Sequence, residues 1–85
     1  MIISQYKNMT ASGQVKTIRG ILKGMYVNST SSGTIKIYDS LSATGAVMNN
    51  TITPAVGYHS LGDAAFSIGC YVTIGGTLDV TLYFD

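Results

Sequence analysis

The amino-acid sequence predicts an all-β chain: a small antiparallel β-sandwich or barrel, jelly-roll-like, with about six to eight short strands. Three observations predict it. In the C-terminal third, Phe66, Ile68, Cys70, Val72 and Ile74 alternate with small or polar residues, and Leu78, Val80, Leu82 and Phe84 alternate with Thr77, Asp79, Thr81 and Tyr83. Clusters of Gly, Ser, Asn and Asp separate the apolar runs along the chain. No stretch carries a sustained helical pattern free of glycine. With 85 residues, the chain makes one domain, residues 1–85, burying about 60% of the surface its unfolded form exposes.

The N-terminal "MIISQYKNMTAS" reads as an edge strand, or as an arm within residues 1–19 that docks on a neighbour. "GQVKTIRGILKGMYVN" is ambiguous: Ile18, Ile21, Leu22 and Met25 fall at helical spacing, whereas Ile18, Leu22 and Tyr26 also fit alternation. Gly20 and Gly24 favour one or two strands bent at glycine, because each Gly costs a helix interior roughly 1 kcal/mol against Ala. A strand follows from Gly33 to Tyr38, entered by the Ser/Thr-rich turn after Asn28 and left by an Asp-Ser turn. Another runs from about Ala46 to Thr53 and stops at Pro54, and beyond it lies a loop or edge strand containing Tyr58 and Leu61.

The last two apolar runs meet at "TIGGT". A two-residue hairpin turn at Gly75-Gly76 would set Val72 opposite Asp79 and place a carboxylate on the apolar face. An odd loop, Ile74-Gly75-Gly76 closing on Thr73/Thr77 with Gly76 left-handed, restores the match. That hairpin pairs Val72 with Leu78, Cys70 with Val80, Ile68 with Leu82 and Phe66 with Phe84. Its other face carries Tyr71 opposite Asp79 and Ser67 opposite Tyr83. All eight apolar residues are expected on one buried face, with Asp79 outside it.

Hydrophobic residues form 46% of the chain and charged residues 11%, with net charge +1 and neither Glu nor Trp. This composition argues against disorder and supplies no field for nucleic acid or anionic lipid. Near-neutral charge promotes self-association. Lone Cys70 excludes an internal disulfide, and no run approaches the roughly 20 apolar residues of a membrane-spanning helix. No secretion signal is read at the N-terminus, so the Asn-x-Ser/Thr triplets at Asn8, Asn28 and Asn49 are taken as turn chemistry rather than glycan acceptors.

Chemistry is sparse. His59 is the single histidine, and although Ser60 and Asp63 stand near it, no nucleophile elbow accompanies them. One His, one Cys and four scattered Asp residues supply no metal spacing and no paired-carboxylate site. The expectation is therefore a non-enzyme: no catalytic, cofactor-binding or metal residues. "STSSGT" and "IGGT" lack the Lys-Ser/Thr and helix of a phosphate cradle, and Lys16, Arg19 and Lys23 fall short of a nucleic-acid stripe. Six tyrosines are the residue excess. Tyrosine offers rigid contact area with a hydrogen-bonding tip, which assigns Tyr71, Tyr83, Thr73, Thr81, Tyr58 and Tyr6 to an interface. The same platform chemistry suits sugars, a second reading.

"GILKGMYVNSTSSGTIKIYDS" followed by "NNTITPAVGYHSLGDAAFSIGCYVTIGGTLDVTLYF" resembles a group of small phage virion proteins of unassigned or head-decorating role. The resemblance covers residues 20–84 and rests on Gly20, Leu22, Tyr26-Val27-Asn28, Gly33, Tyr38-Asp39, Thr53-Pro54, Phe66, Gly69, Tyr71 and Gly75-Gly76-Thr77. These are turn and strand residues. The resemblance implies a β-sandwich capsid decoration or cement protein, a homo-oligomer with a trimer favoured. It would clamp major capsid protein subunits on the virion exterior after synthesis in the host cytoplasm. It brings no catalytic motif. A receptor- or glycan-binding module of a tail fibre or spike, and a tail or neck adaptor, are the alternatives.

Overall fold

A computed structural model describes residues 4–85. The strands are β1 (Gln5–Met9), β2 (Gly13–Lys16), β3 (Gly20–Asp39), β4 (Ala46–Ile52), β5 (Gly57–Phe66) and β6 (Cys70–Phe84). All pair antiparallel in one six-stranded sheet. The all-β class predicted from alternation holds. N-terminal residues 5–9 form an edge strand on β6, as expected of that segment.

Two long strands form a spine. β3 and β6 pair along their whole lengths, from Leu22 opposite Phe84 to Asp39 opposite Cys70. Four shorter strands flank them: β1 and β5 border the half built on residues 79–84 of β6, and β2 and β4 border the half built on residues 70–75. Eleven side chains, including Leu22, Met25, Ile35, Val72 and Leu82, are less than 2% exposed and belong to one core cluster. With no helix among the described residues to cover them, a single sheet achieves this only by folding one half over the other. The thin dimension of 17 Å accommodates two backbone layers about 10 Å apart.

The fold line crosses the spine where Ser31 and Ser32 both oppose Thr77. Ser32 and Gly76 adopt left-handed backbone angles, with φ of 54° and 67°. Gly33 lies against the Thr77 carbonyl and Leu78, leaving no room for a side chain. The Thr30 hydroxyl bridges the corner, accepting from the Gly33 N–H at 3.0 Å and donating to the Thr77 carbonyl at 3.3 Å. Across β6, the Ile74 N–H donates to Ser12 Oγ at 2.8 Å, which holds the β1–β2 link to the same corner.

This architecture corrects the predicted hairpin. Gly75-Gly76 is a corner inside a continuous strand, so Val72 does not pair with Leu78; Val72 lies opposite Ile37 and Leu78 opposite Thr30. Tyr71 and Asp79, predicted as partners, stand instead opposite Tyr38 and Ser29, and Tyr83 stands opposite Gly24 and Tyr6. The Ser/Thr-rich stretch after Asn28, read as a turn, is strand backbone at that same corner. Seven of the eight apolar residues are buried as predicted, but Ile68 is 57% exposed. Ile68 falls in the β5–β6 connection, where alternation no longer assigns a face. Asp79 lies on the outer side, as the register argument required.

The Ile68 connection is held by Asp39. Its carboxylate accepts from the N–H groups of Ser67 at 2.9 and 3.0 Å, Ile68 at 2.8 Å and Gly69 at 3.4 Å. These bonds, Ser67 first, lower the Asp39 pKa below its ordinary 3.8. A depressed carboxylate pKa stabilises the fold above the ordinary value, and that contribution is lost as pH falls through the folded-state value. Asp39→Asn should cost about 1–3 kcal/mol in urea unfolding at pH 7 and should shrink the loss of stability between pH 5 and pH 2. An unchanged pH profile would rule out the anchoring role.

Candidate interaction surface

Strand parity and two bulges build the outer face of the half that contains β1 and β5. Leu22 and Met25 are both buried although three residues apart, because β3 gains an extra residue against β6 between Leu22 and Gly24. That bulge explains the helix-like spacing in the sequence. It also turns Tyr26 outward, between buried Met25 and Val27. Asn28, two residues on, faces the same side as Tyr26 by ordinary alternation, and a second bulge follows between Val27 and Ser29.

The resulting face crosses four strands. In register, one row runs through Tyr6, Tyr83, Gly24 and Ser60, and the next runs through Asn8, Thr81, Tyr26 and Tyr58. Tyr58 leans across the bare backbone of Gly24, where its phenol oxygen and ring would collide with any Cβ. This brings its ring centroid to 6.4 Å from that of Tyr83, tilted by 39°. Tyr6 and Tyr58 are 72% and 58% exposed.

A polar brace borders the tyrosines. Asp79 Oδ1 accepts from Asn8 Nδ2 at 2.7 Å and Asn28 Nδ2 at 3.1 Å, while Thr81 Oγ1 accepts from the same two amides, each at 3.2 Å. Two asparagines from flanking strands thus fix two side chains of β6. Read from sequence as turn residues, Asn8 and Asn28 are strand residues whose amides cross-link three strands. Their amide donors are taken up by Asp79 and Thr81.

The predicted interface residues divide into two groups. Tyr6, Tyr58, Thr81 and Tyr83 come together on this face, and Tyr26 joins them without having been singled out. Tyr71 and Thr73 lie on the other half, opposite Tyr38 and Lys36. There the Lys36 ammonium sits 5.2 Å from the centroid of the Tyr38 ring, and Tyr38 itself is buried.

The residues weighed for chemistry are scattered. His59 lies on β5 opposite Met25, its Nε2 2.8 Å from the Ala55 carbonyl oxygen, on the opposite side of the strand from Ser60. Lys16 Nζ donates to the Asp85 backbone carbonyl at 2.8 Å and lies over the Phe84 ring, apart from any basic stripe. Among the described residues, no three His, Cys, Asp or Glu side chains converge as metal ligands, and no helix is long and apolar enough to cross a membrane.

Comparison with known proteins gives no matching family model, no matching curated protein and no matching solved structure.

Cys70 is buried in the core beside the Asp39 anchor, and burial, with the Asp39 charge second, pushes its thiol up to about 12. A thiol reagent at pH 8 should leave the folded protein unlabelled and modify it only after denaturation. Rapid labelling of native protein would contradict that burial.

Proposed function

We propose that this chain is a phage virion structural protein, a capsid decoration or cement protein. It works as a homo-oligomer. It binds the major capsid protein on the outside of the head and stabilises it. The observation that carries the reading is the tyrosine face. Four strands present Tyr6, Tyr26, Tyr58 and Tyr83 on a braced, hydrogen-bonded sheet, which offers contact area at small entropic cost. A shell under internal pressure gains strength from many copies of a rigid module spanning subunit joints.

The experiment is add-back to capsids that lack the protein, reading retention after sedimentation and the temperature of capsid rupture. Tyr58→Ala and Tyr83→Ala should each weaken retention by about 2 kcal/mol, some thirtyfold, whereas Tyr71→Ala should retain near-native binding. A stable monomer that ignores capsids yet binds a glycan array through Tyr58 or Tyr83 would establish the glycan reading instead. Density at the tail or neck would establish the adaptor reading.

A further inference from the structure

Beyond the Tyr83 row, at the end of the same half, a shallow groove opens where the start of β3 meets the end of β5. Arg19, Ile21, Ala65, Phe66 and Asp85 line it. Its floor is apolar, while Arg19 and Asp85 bring one charge of each sign. The Asp85 backbone is fully engaged: its N–H donates to the Ile21 carbonyl at 2.8 Å, and its carbonyl accepts from Ile21 N and Lys16 Nζ. Its side-chain carboxylate has no partner in those contacts. Beside the groove stand two exposed aliphatic tips, Ile18 at 64% and Ile68 at 57% exposure, each next in sequence to a lining residue. Ile68 is held outward by the Asp39 bonds to its loop. Ile18, Ile21 and Ile68 thus expose three aliphatic side chains around one groove, and clustered exposed apolar surface, unlike a single exposed residue, marks a contact site.

We infer that this groove is a self-complementary contact through which two copies of the chain pair about a two-fold axis. Ile68 of each copy enters the groove of the other, over Ile21 and Phe66, and Arg19 of each meets Asp85 of the other. Knob, pocket and both charges lie side by side on one surface, which is what an isologous contact requires. A head-to-tail trimer would need two different complementary surfaces. The apolar knob supplies the affinity, and the charge pairs set the orientation. This deepens the self-association in the proposed function, and it gives an even-numbered assembly in place of a trimer.

The test measures mass in solution by light scattering across protein concentrations, with no capsid present, so that loss of pairing and loss of capsid docking are read separately. Native protein should show a concentration-dependent dimer. Ile68→Asp should shift the midpoint at least about tenfold toward monomer while the circular dichroism spectrum stays native. Arg19→Asp should weaken pairing through repulsion with Asp85, and the double swap Arg19→Asp/Asp85→Arg should restore it. A native monomer at millimolar concentration, a trimer, a dimer indifferent to Ile68→Asp, or a double swap no tighter than Arg19→Asp alone would each overturn the inference.

Discussion

Gly33→Val should remove a large share of the fold's stability. A Cβ at Gly33 would lie 2.7 Å from Leu78 Cβ and 2.9 Å from the Thr77 carbonyl carbon, and closer still to the Thr77 oxygen. Backbone on the facing strand cannot swing aside as a flexible side chain can. The substitution therefore either separates β3 from β6 at the corner or unbends the fold line, and both outcomes expose the core. The expected loss is about 3 kcal/mol, at the upper end of overpacking costs. A domain of this length has roughly 4–13 kcal/mol in total. Urea midpoints measure the effect directly, and Ser32→Gly is the control. It removes a Cβ from a left-handed position in the same corner and should preserve folding. A Gly33→Val protein with a native midpoint would mean that the corner is not where the sheet turns.

Leu82→Ala and Ile68→Ala should differ sharply, although alternation assigns both residues to one face. Leu82 is fully buried in the core cluster, and its truncation should cost about 2–5 kcal/mol through lost burial and a residual cavity. Ile68 packs on solvent in the single chain, so its truncation should stay within about 0.5 kcal/mol in dilute protein. Equal losses would place Ile68 in the core after all.

That contrast marks where the sequence was legible. Period-two alternation identifies the buried side of β6 because Cys70 and Val72 before the corner and Leu78, Val80, Leu82 and Phe84 after it keep the same parity. It could not distinguish a hairpin from a bent strand. An unbroken parity through Gly75-Gly76 fits an odd-length loop and an uninterrupted strand equally well, and only pairing with the distant β3 separates them. The bulges of β3 were illegible for a related reason. One extra residue reverses the parity, so Leu22 and Met25 mimic a helical spacing, and Tyr26 looked like a companion of Leu22 when it faces the opposite way. The tyrosine face was half legible: outward positions on β6 were assigned correctly, but which strands lie beside them depends on topology. Asn8 and Asn28, far apart in the chain, meet at Asp79 only because β1 and β3 flank the same stretch of β6.

The spine also dictates when this chain can fold. Its two strands are joined by a long excursion: the nearest partners are Asp39 and Cys70, and the farthest are Leu22 and Phe84. Loop-closure entropy favours starting at the Asp39 end, where the carboxylate seizes three successive amides just before β6 begins. Zippering then proceeds outward past the corner. While β6 remains inside the ribosome, β3 has only β4 and β5 beside it and neither β1 nor β2 has a strand to join, so nascent chains emerge with their apolar stripes uncovered. Native structure therefore waits until β6 has emerged, and the interval before that is when this chain is most exposed to chaperones and to aggregation.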